Sequence, residues 1–305
     1  MPHRKKNICI HIVFLAMMGI LMGPSVCAEQ VVDALGRTVG GESTPQRIVS
    51  LVPAMTEILF ALEVEDQIVG VTSYCNYPDP AKSKPKIGEY ANPNLEILAT
   101  LNPDLVFMAA DASSPELLSR LEGLGISVYI VYPRSVSDTA GLIRSLGRLL
   151  DKQPKAEALA ATLDETAECV RNLTSDRPRV SVLCTVMSKP LVVAGGNTLL
   201  DDMVGIAGGD NVVPEGINRY PTWGIESVLA ADPDVILVSP HPGQVDPSAF
   251  YRQWPELKAV KNNRLVTIDA DWIQRPGPRL VAGLKALAKA LHGVSPELVD
   301  GRCLN

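Results

Sequence analysis

The sequence predicts an α/β protein of two lobes, each with a central parallel-rich sheet flanked by helices, joined by one long interdomain helix and enclosing a ligand cleft. Three observations carry this expectation. Short apolar segments alternate with helical ones along the chain, the pattern of parallel strands covered on both faces. The segment Glu96-Ile-Leu-Ala-Thr-Leu-Asn-Pro103-Asp104-Leu-Val106 returns as Glu226-Ser-Val-Leu-Ala-Ala-Asp-Pro233-Asp234-Val-Ile236. Between the copies, residues 151–175 place Ala156, Leu159, Ala160, Leu163, Ala167 and Val170 at helical spacing among good helix formers.

The elements follow in order. Arg4, Lys5 and Lys6 precede an apolar run from Ile8 to Met22 and the small-residue stretch up to Ala28, the order of a secretory signal peptide over residues 1–28 with cleavage before Glu29. Lipid attachment at Cys27 is the alternative, although Val26 is not the small residue expected just before a lipidated cysteine. The run is shorter than the roughly twenty residues that span a bilayer. In the first lobe, residues 29–150, Arg47 to Val52 and Gln67 to Thr72 read as strands flanking a helix from Met55 to Leu62. Each repeat copy reads as a short helix with its glutamate in the first turn, a Pro-Asp stop, and a buried strand, Leu105 to Met108 or Val235 to Val238. Ser127 to Val131 follows a helix ending at Gly123. Residues 151–177 form the linker, a long helix continuing from or kinked at Pro154; one more peripheral helix of a single domain is the alternative. The second lobe, residues 178–305, has strands at Val180 to Val186, Val235 to Val238 and Leu265 to Ile268, and helices near Leu199 to Ile206 and Arg279 to His292. Ligands of such sheets sit at the carboxyl ends of the strands.

Composition excludes several classes. Of 305 residues, 28 are Lys or Arg, 34 are Asp or Glu, and 46% are hydrophobic, which is globular rather than disordered. Without residues 1–28 the basic count falls to 25 and the net charge to −9, unsuited to nonspecific binding of nucleic acid or anionic lipid. Cys75, Cys169, Cys184 and Cys303 remain, with no CxxC pair and three possible pairings. No GxSxG, Walker A, HExxH or GxGxxG pattern supplies a catalytic or nucleotide site. Only His241 and His292 remain after export, too few for a multi-imidazole metal site. His292 ends a helix, where an imidazolium suits the dipole. His241 follows a repeat strand and is either a structural loop residue or an axial ligand to a bound metal.

The candidate binding residues cluster in strand-end loops: Tyr74, Tyr90, Tyr220, Trp223 and Trp272 as aromatic walls for a large, partly apolar ligand, and Asp271 and Arg275 as polar groups that orient it. Tyr77, next to Pro78, reads as structural, and Arg279 as solvent-facing.

Residues 47–292 resemble the substrate-binding proteins of ABC importers that have a helical interdomain linker and take up cobalamin, siderophores or haem. Arg47-Ile-Val-Ser-Leu-Val-Pro-Ala-Met-Thr-Glu57, Ser73-Tyr-Cys-Asn-Tyr-Pro78, Gly88-Glu-Tyr-Ala-Asn-Pro-Asn-Leu-Glu96, Asn102-Pro-Asp-Leu-Val106 and Asp271-Trp272 are most similar to the cobalamin branch. The resemblance implies a monomeric, non-catalytic protein with no cofactor of its own, a corrinoid as transported ligand, and docking of Glu96 and Glu226 onto a dimeric membrane permease. It also implies stacking walls at Tyr74, Tyr90, Tyr220 and Trp272, with Asp271 near the ligand's nucleotide side. Where that branch presents aromatics, this chain has Met108, Ala109 and Met187. A haem or ferric-siderophore binder of the same architecture is the first alternative, with Tyr90 or His241 as axial ligand. An exported tetrapyrrole-modifying enzyme is the alternative from a different class.

Overall fold

The structure, a computed structural model, describes residues 29–305 apart from 42, 112, 113, 217, 241–246 and 304–305. The expected signal peptide, including Cys27, and His241 lie outside the described residues. An antiparallel ribbon of β1 (Val31–Val32) and β2 (Thr38–Val39) leads into four parallel strands, β3 (Ile48–Ser50), β4 (Ile68–Val71), β5 (Leu105–Ala109) and β6 (Ser127–Val131), ordered β4-β3-β5-β6. Each is short and mostly buried, as parallel strands between helical layers must be.

In the second lobe β7 (Val180–Ser188) is followed by β8 (Leu191–Val193), β9 (Gly209–Asn211), β10 (Val235–Val238) and β11 (Leu265–Thr267), and the sheet runs β11-β10-β7-β8. One edge of β7 serves two partners: Val180–Val182 runs parallel to β9, and Thr185–Ser188 pairs antiparallel with β8. The apolar pattern does not announce these two strands, because β8 has three residues and β9 is the polar Gly-Asp-Asn.

Side-chain alternation on the central strands sets the layers. Leu105 and Phe107 of β5, with Val235 and Leu237 of β10, face one apolar core that runs through both lobes. Val106 and Met108 face an outer core of the first lobe, and Ile236 and Val238 an outer core of the second.

The linker helix spans Gln153–Thr174. It continues from Pro154 rather than kinking there: Pro154 sits in the first turn, where its missing N–H is not needed, and Asp151, at a left-handed φ of 56°, separates the linker from the preceding helix, Val136–Leu149. Ala156, Ala160, Leu163, Ala167 and Val170 are all buried, against the helices Val136–Leu149, Leu280–His292 and Pro296–Cys303. Where the linker crosses the preceding helix, a Cβ on Gly147 would stand 2.3 Å from that of Ala156, so only glycine permits the approach. Cys169 on this helix is disulfide-bonded, whereas Cys75 and Cys184 are free and buried. Burial also raises the Cys184 thiol pKa.

Candidate functional site: a cleft walled by both lobes

The repeat folds as one unit in each lobe. Asn94 caps the helix Leu95–Leu101 by accepting from the backbone N–H groups of Glu96 and Ile97, and Gly224 occupies the equivalent place before Ile225–Ala231. Glu96 and Glu226 are therefore exposed first-turn carboxylates, where the helix dipole favours them. Both helices end in a left-handed residue, Asn102 at φ 44° and Asp232 at φ 39°.

The aspartate of each Pro-Asp pair does more than follow a helix stop. Asp104 accepts from the backbone N–H of Gln46 and Arg47, just before β3, and Asp234 accepts from the N–H and hydroxyl of Ser181 on β7. Each carboxylate thus holds the neighbouring strand in register with the central one. The Ser181 hydrogen bond keeps the Asp234 pKa below the usual aspartate value.

Six residues before each glutamate stands a tyrosine of the cleft, Tyr90 in one lobe and Tyr220 in the other. The cleft has a volume of about 910 Å³ and opens at the carboxyl ends of the strands, with Ala109 and Asp111 after β5 and Val186 of β7 in its lining. Tyr74 and Tyr90 form an edge-to-face pair on the first lobe, ring centroids 5.8 Å apart, with Tyr220 on the second lobe. The three rings are 46–48% exposed, bare apolar surface held ready for a ligand. Desolvation in the recess, and then the Asp111 carboxylate, raise the Tyr220 phenol pKa. Leu51, Val52, Leu199, Leu200 and Ile273 add apolar lining; Ser73, Asn76, Gln274 and Arg275 add polar groups.

The other expected wall residues sit elsewhere. Trp223 packs against the outer core of the second lobe, and its backbone N–H donates to the carbonyl of Leu191 at 3.0 Å. Trp272 is 37% exposed but does not line the cleft, and its helix, Ala270–Ile273, contributes Ile273 instead. Asp271, expected to orient the ligand, does not line the cleft: it is 4% exposed and forms ion pairs with Arg275 and Arg279. Of the residues at the departures from the cobalamin branch, Met108 fills the outer core, Ala109 lines the cleft and Met187 is exposed.

Arg275 lines the cleft, but its charge is engaged between the lobes. Glu57, in the helix Pro53–Ala61 of the first lobe, accepts from Arg275 at 3.2 Å and from Arg279 at 2.6 and 2.8 Å. Arg275 also donates to Asn76 Oδ1 at 2.8 Å, and its Nε lies 2.9 Å from Asp271 Oδ1, without hydrogen-bond alignment. Arg279 does not face solvent: it lies 4.4 Å from the centre of the Tyr77 ring, and the hydrogen bonds and charge of Glu57 and Asp271 outweigh desolvation to raise its pKa. Glu57 and Arg279 were missed because pairing across 222 positions leaves no periodic trace; a carboxylate inside an otherwise apolar helix was the available sign.

Two further contacts tie the lobes. Asp202, on the helix Leu199–Ile206, accepts from the N–H of Val136 at 2.8 Å, and desolvation raises its pKa. Arg219 places its guanidinium 4.8 Å from the centre of the Tyr132 ring, with Arg134 5.6 Å from the same ring. Among the described residues, no group of three or more His, Cys, Asp or Glu side chains could hold a metal ion, and no helix is long and apolar enough to cross a membrane.

Two α/β lobes on a helical tie, with an aromatic cleft at the strand ends, define a binding protein that holds a sizeable ligand between its halves. Residues 48–272 match the periplasmic binding protein family, and the chain belongs to it. A vitamin B12-binding protein of Vibrio vulnificus is 27% identical over 253 residues, 83% of this chain and 92% of that protein. An uncharacterized ABC transporter substrate-binding lipoprotein of Bacillus subtilis is 29% identical, over 85% of this chain and 84% of that protein. Among solved structures, a periplasmic haem-binding protein from Roseiflexus sp. RS-1 is 30% identical with a TM-score of 0.71, covering 80% of this chain and 98% of that one. The periplasmic vitamin B12-binding protein of Vibrio cholerae, at 24% identity, shares the fold with a TM-score of 0.73, over 85% of this chain and 99% of that one.

Proposed function

We propose that this protein is the extracytoplasmic substrate-binding component of an ABC importer, that it captures cobalamin or a related corrinoid in the cleft, and that Glu96 and Glu226 dock it onto the membrane permease. The observation that carries the ligand reading is the chemistry of the cleft. Tyrosines from both lobes offer flat apolar faces, while the lining arginine is already matched by Glu57 and the other polar side chains are the amides of Asn76 and Gln274, the Ser73 hydroxyl and the Asp111 carboxylate. Such a lining suits a broad ring bordered by neutral carboxamides, as a corrinoid is. Haem has two carboxylates at its edge, and the Asp111 carboxylate in the lining opposes them. The vitamin B12-binding relatives are consistent with this choice. The reaction carried out is binding alone; export by the N-terminal segment places the protein outside the cytoplasm, either free or held through Cys27.

Calorimetric titration of residues 29–305 with cyanocobalamin and with haem tests the ligand. One-to-one binding of cyanocobalamin at roughly micromolar Kd or tighter, about −8 kcal/mol, is expected. Preference for haem, with an added Soret band, would move the ligand to that of the Roseiflexus relative. Docking is tested separately: the double variant Glu96→Lys, Glu226→Lys is expected to abolish corrinoid-dependent growth while leaving corrinoid affinity within about twofold, since both carboxylates lie outside the cleft lining. An equal loss of binding would assign them to the pocket or the fold.

A further inference from the structure

The corrinoid reading leaves open which group in the cleft distinguishes an amide-bordered ligand from an acid-bordered one. Gln274 lines the cleft at the C-terminus of the helix Ala270–Ile273, and its backbone N–H is fixed to Ala270 at 2.8 Å. Its side-chain amide approaches the hydroxyl of Ser239, with 2.5 Å between Nε2 and Oγ. Ser239 is itself buried, and its hydroxyl donates to the carbonyl of Thr185 at 3.2 Å. Thr185 is immobile in turn: it belongs to β7, and its own hydroxyl is 2.6 Å from the buried Tyr251 hydroxyl.

A serine hydroxyl has one proton and can otherwise only accept. Since that proton goes to Thr185, Ser239 must accept from Gln274, and the nitrogen end of the amide is the end that faces Ser239. Among the described residues the carbonyl oxygen Oε1 has no hydrogen-bond partner, and it belongs to a residue of the cleft wall. We infer that Gln274, held in one orientation by Ser239, is a specificity-determining residue that presents a fixed hydrogen-bond acceptor to the ligand, and so selects a carboxamide N–H and rejects a carboxylate at that place on the ligand's edge. The inference rests on the corrinoid reading for its ligand, while the orientation of the amide does not. An acceptor opposite a carboxylate leaves two lone-pair groups facing one another with no proton between them, which binding sites built for an N–H reject strongly.

Two measurements test it. In the ligand-free protein, NMR of the Gln274 side-chain NH2 is expected to show nuclear Overhauser contacts to the Ser239 β-protons and slowed exchange; their absence overturns the orientation whatever the ligand is. Binding is then compared for cyanocobalamin and for its three monocarboxylic acids, in each of which one propionamide has become a carboxylate. At least one acid is expected to bind ten-fold or more weakly than cyanocobalamin, and Ser239→Ala, which frees the amide to turn, and Gln274→Leu, which removes it, are each expected to shrink that ratio to three-fold or less. Equal affinity for all four ligands, or a ratio that neither variant changes, overturns the role assigned to Gln274. Normal Overhauser contacts in a protein that binds no corrinoid would instead sink the ligand reading and, with it, the amide selection.

Discussion

In the first lobe a single stretch runs from the cleft tyrosine Tyr90 through the exposed Glu96 and the left-handed Asn102 to the strand-holding Asp104. In the second it runs from Tyr220 through Glu226 and Asp232 to Asp234 at the same spacing. Outside this stretch the lobes diverge. The first sheet is wholly parallel and contributes the paired rings of Tyr74 and Tyr90 and the buried Glu57. The second carries an antiparallel edge and contributes the polar floor, Gln274 and Arg275. The shared stretch holds whatever both halves must do alike, namely wall the cleft and expose a carboxylate. The divergent parts hold what only one half needs to do.

The sharpest way to break this division is at Glu57, which the second lobe's two arginines depend upon. Glu57→Gln leaves them buried and under-compensated and is expected to lower unfolding stability by about 3–5 kcal/mol, read from chemical denaturation. The shared stretch should respond symmetrically: Asp104→Ala and Asp234→Ala are each expected to cost about 1.5–3 kcal/mol, because each removes a carboxylate that accepts two hydrogen bonds from a neighbouring strand. A large loss in one lobe alone would show that the repeat is alike in shape but not in energetics. For ligand affinity, Tyr90→Ala and Tyr220→Ala are each expected to weaken corrinoid binding by roughly tenfold, about 1.4 kcal/mol, while Trp223→Phe leaves affinity unchanged because its ring serves the outer core.

The smallest effect concerns His292. Burial, and then the charges of Arg177, Arg264 and Arg179, hold its pKa below the ordinary imidazole value in spite of its contact with Gly208 O at 3.2 Å. The unfolded chain therefore binds this proton more readily. The contribution to stability is complete above about pH 6.5 and declines as pH falls through that value toward the folded pKa. His292→Gln is expected to flatten the pH dependence of the denaturation midpoint between pH 7 and 5, by less than about 1 kcal/mol. The sequence alone suggested a charged imidazole at a helix end, because the nearby arginines come from distant segments.

What was legible in the sequence is what repeats or has a period. The helix Leu199–Ile206 and the strands Ser127–Val131 and Val235–Val238 fall at the expected residues, and the linker's buried face is the expected one. The paired helices beginning at Leu95 and Ile225 were visible because two copies of one segment check each other. Tyr74, Tyr90 and Tyr220 reach the cleft as their strand-end positions suggested. Asp271 and Trp223 do not, because a strand-end loop residue can turn either toward the cleft or back into its own lobe, and only the partners decide which. Gln274 escaped notice for the same reason: its neighbours in the chain say nothing of Ser239, 35 positions away.

The linker helix, 22 residues and thus about 33 Å of regular backbone, is clasped by four other helices and crosses one of them where no added methyl group fits. Such a tie stores little slack. A helical tie of this kind limits how far the two lobes can swing toward or away from each other, compared with a hinge made of loops.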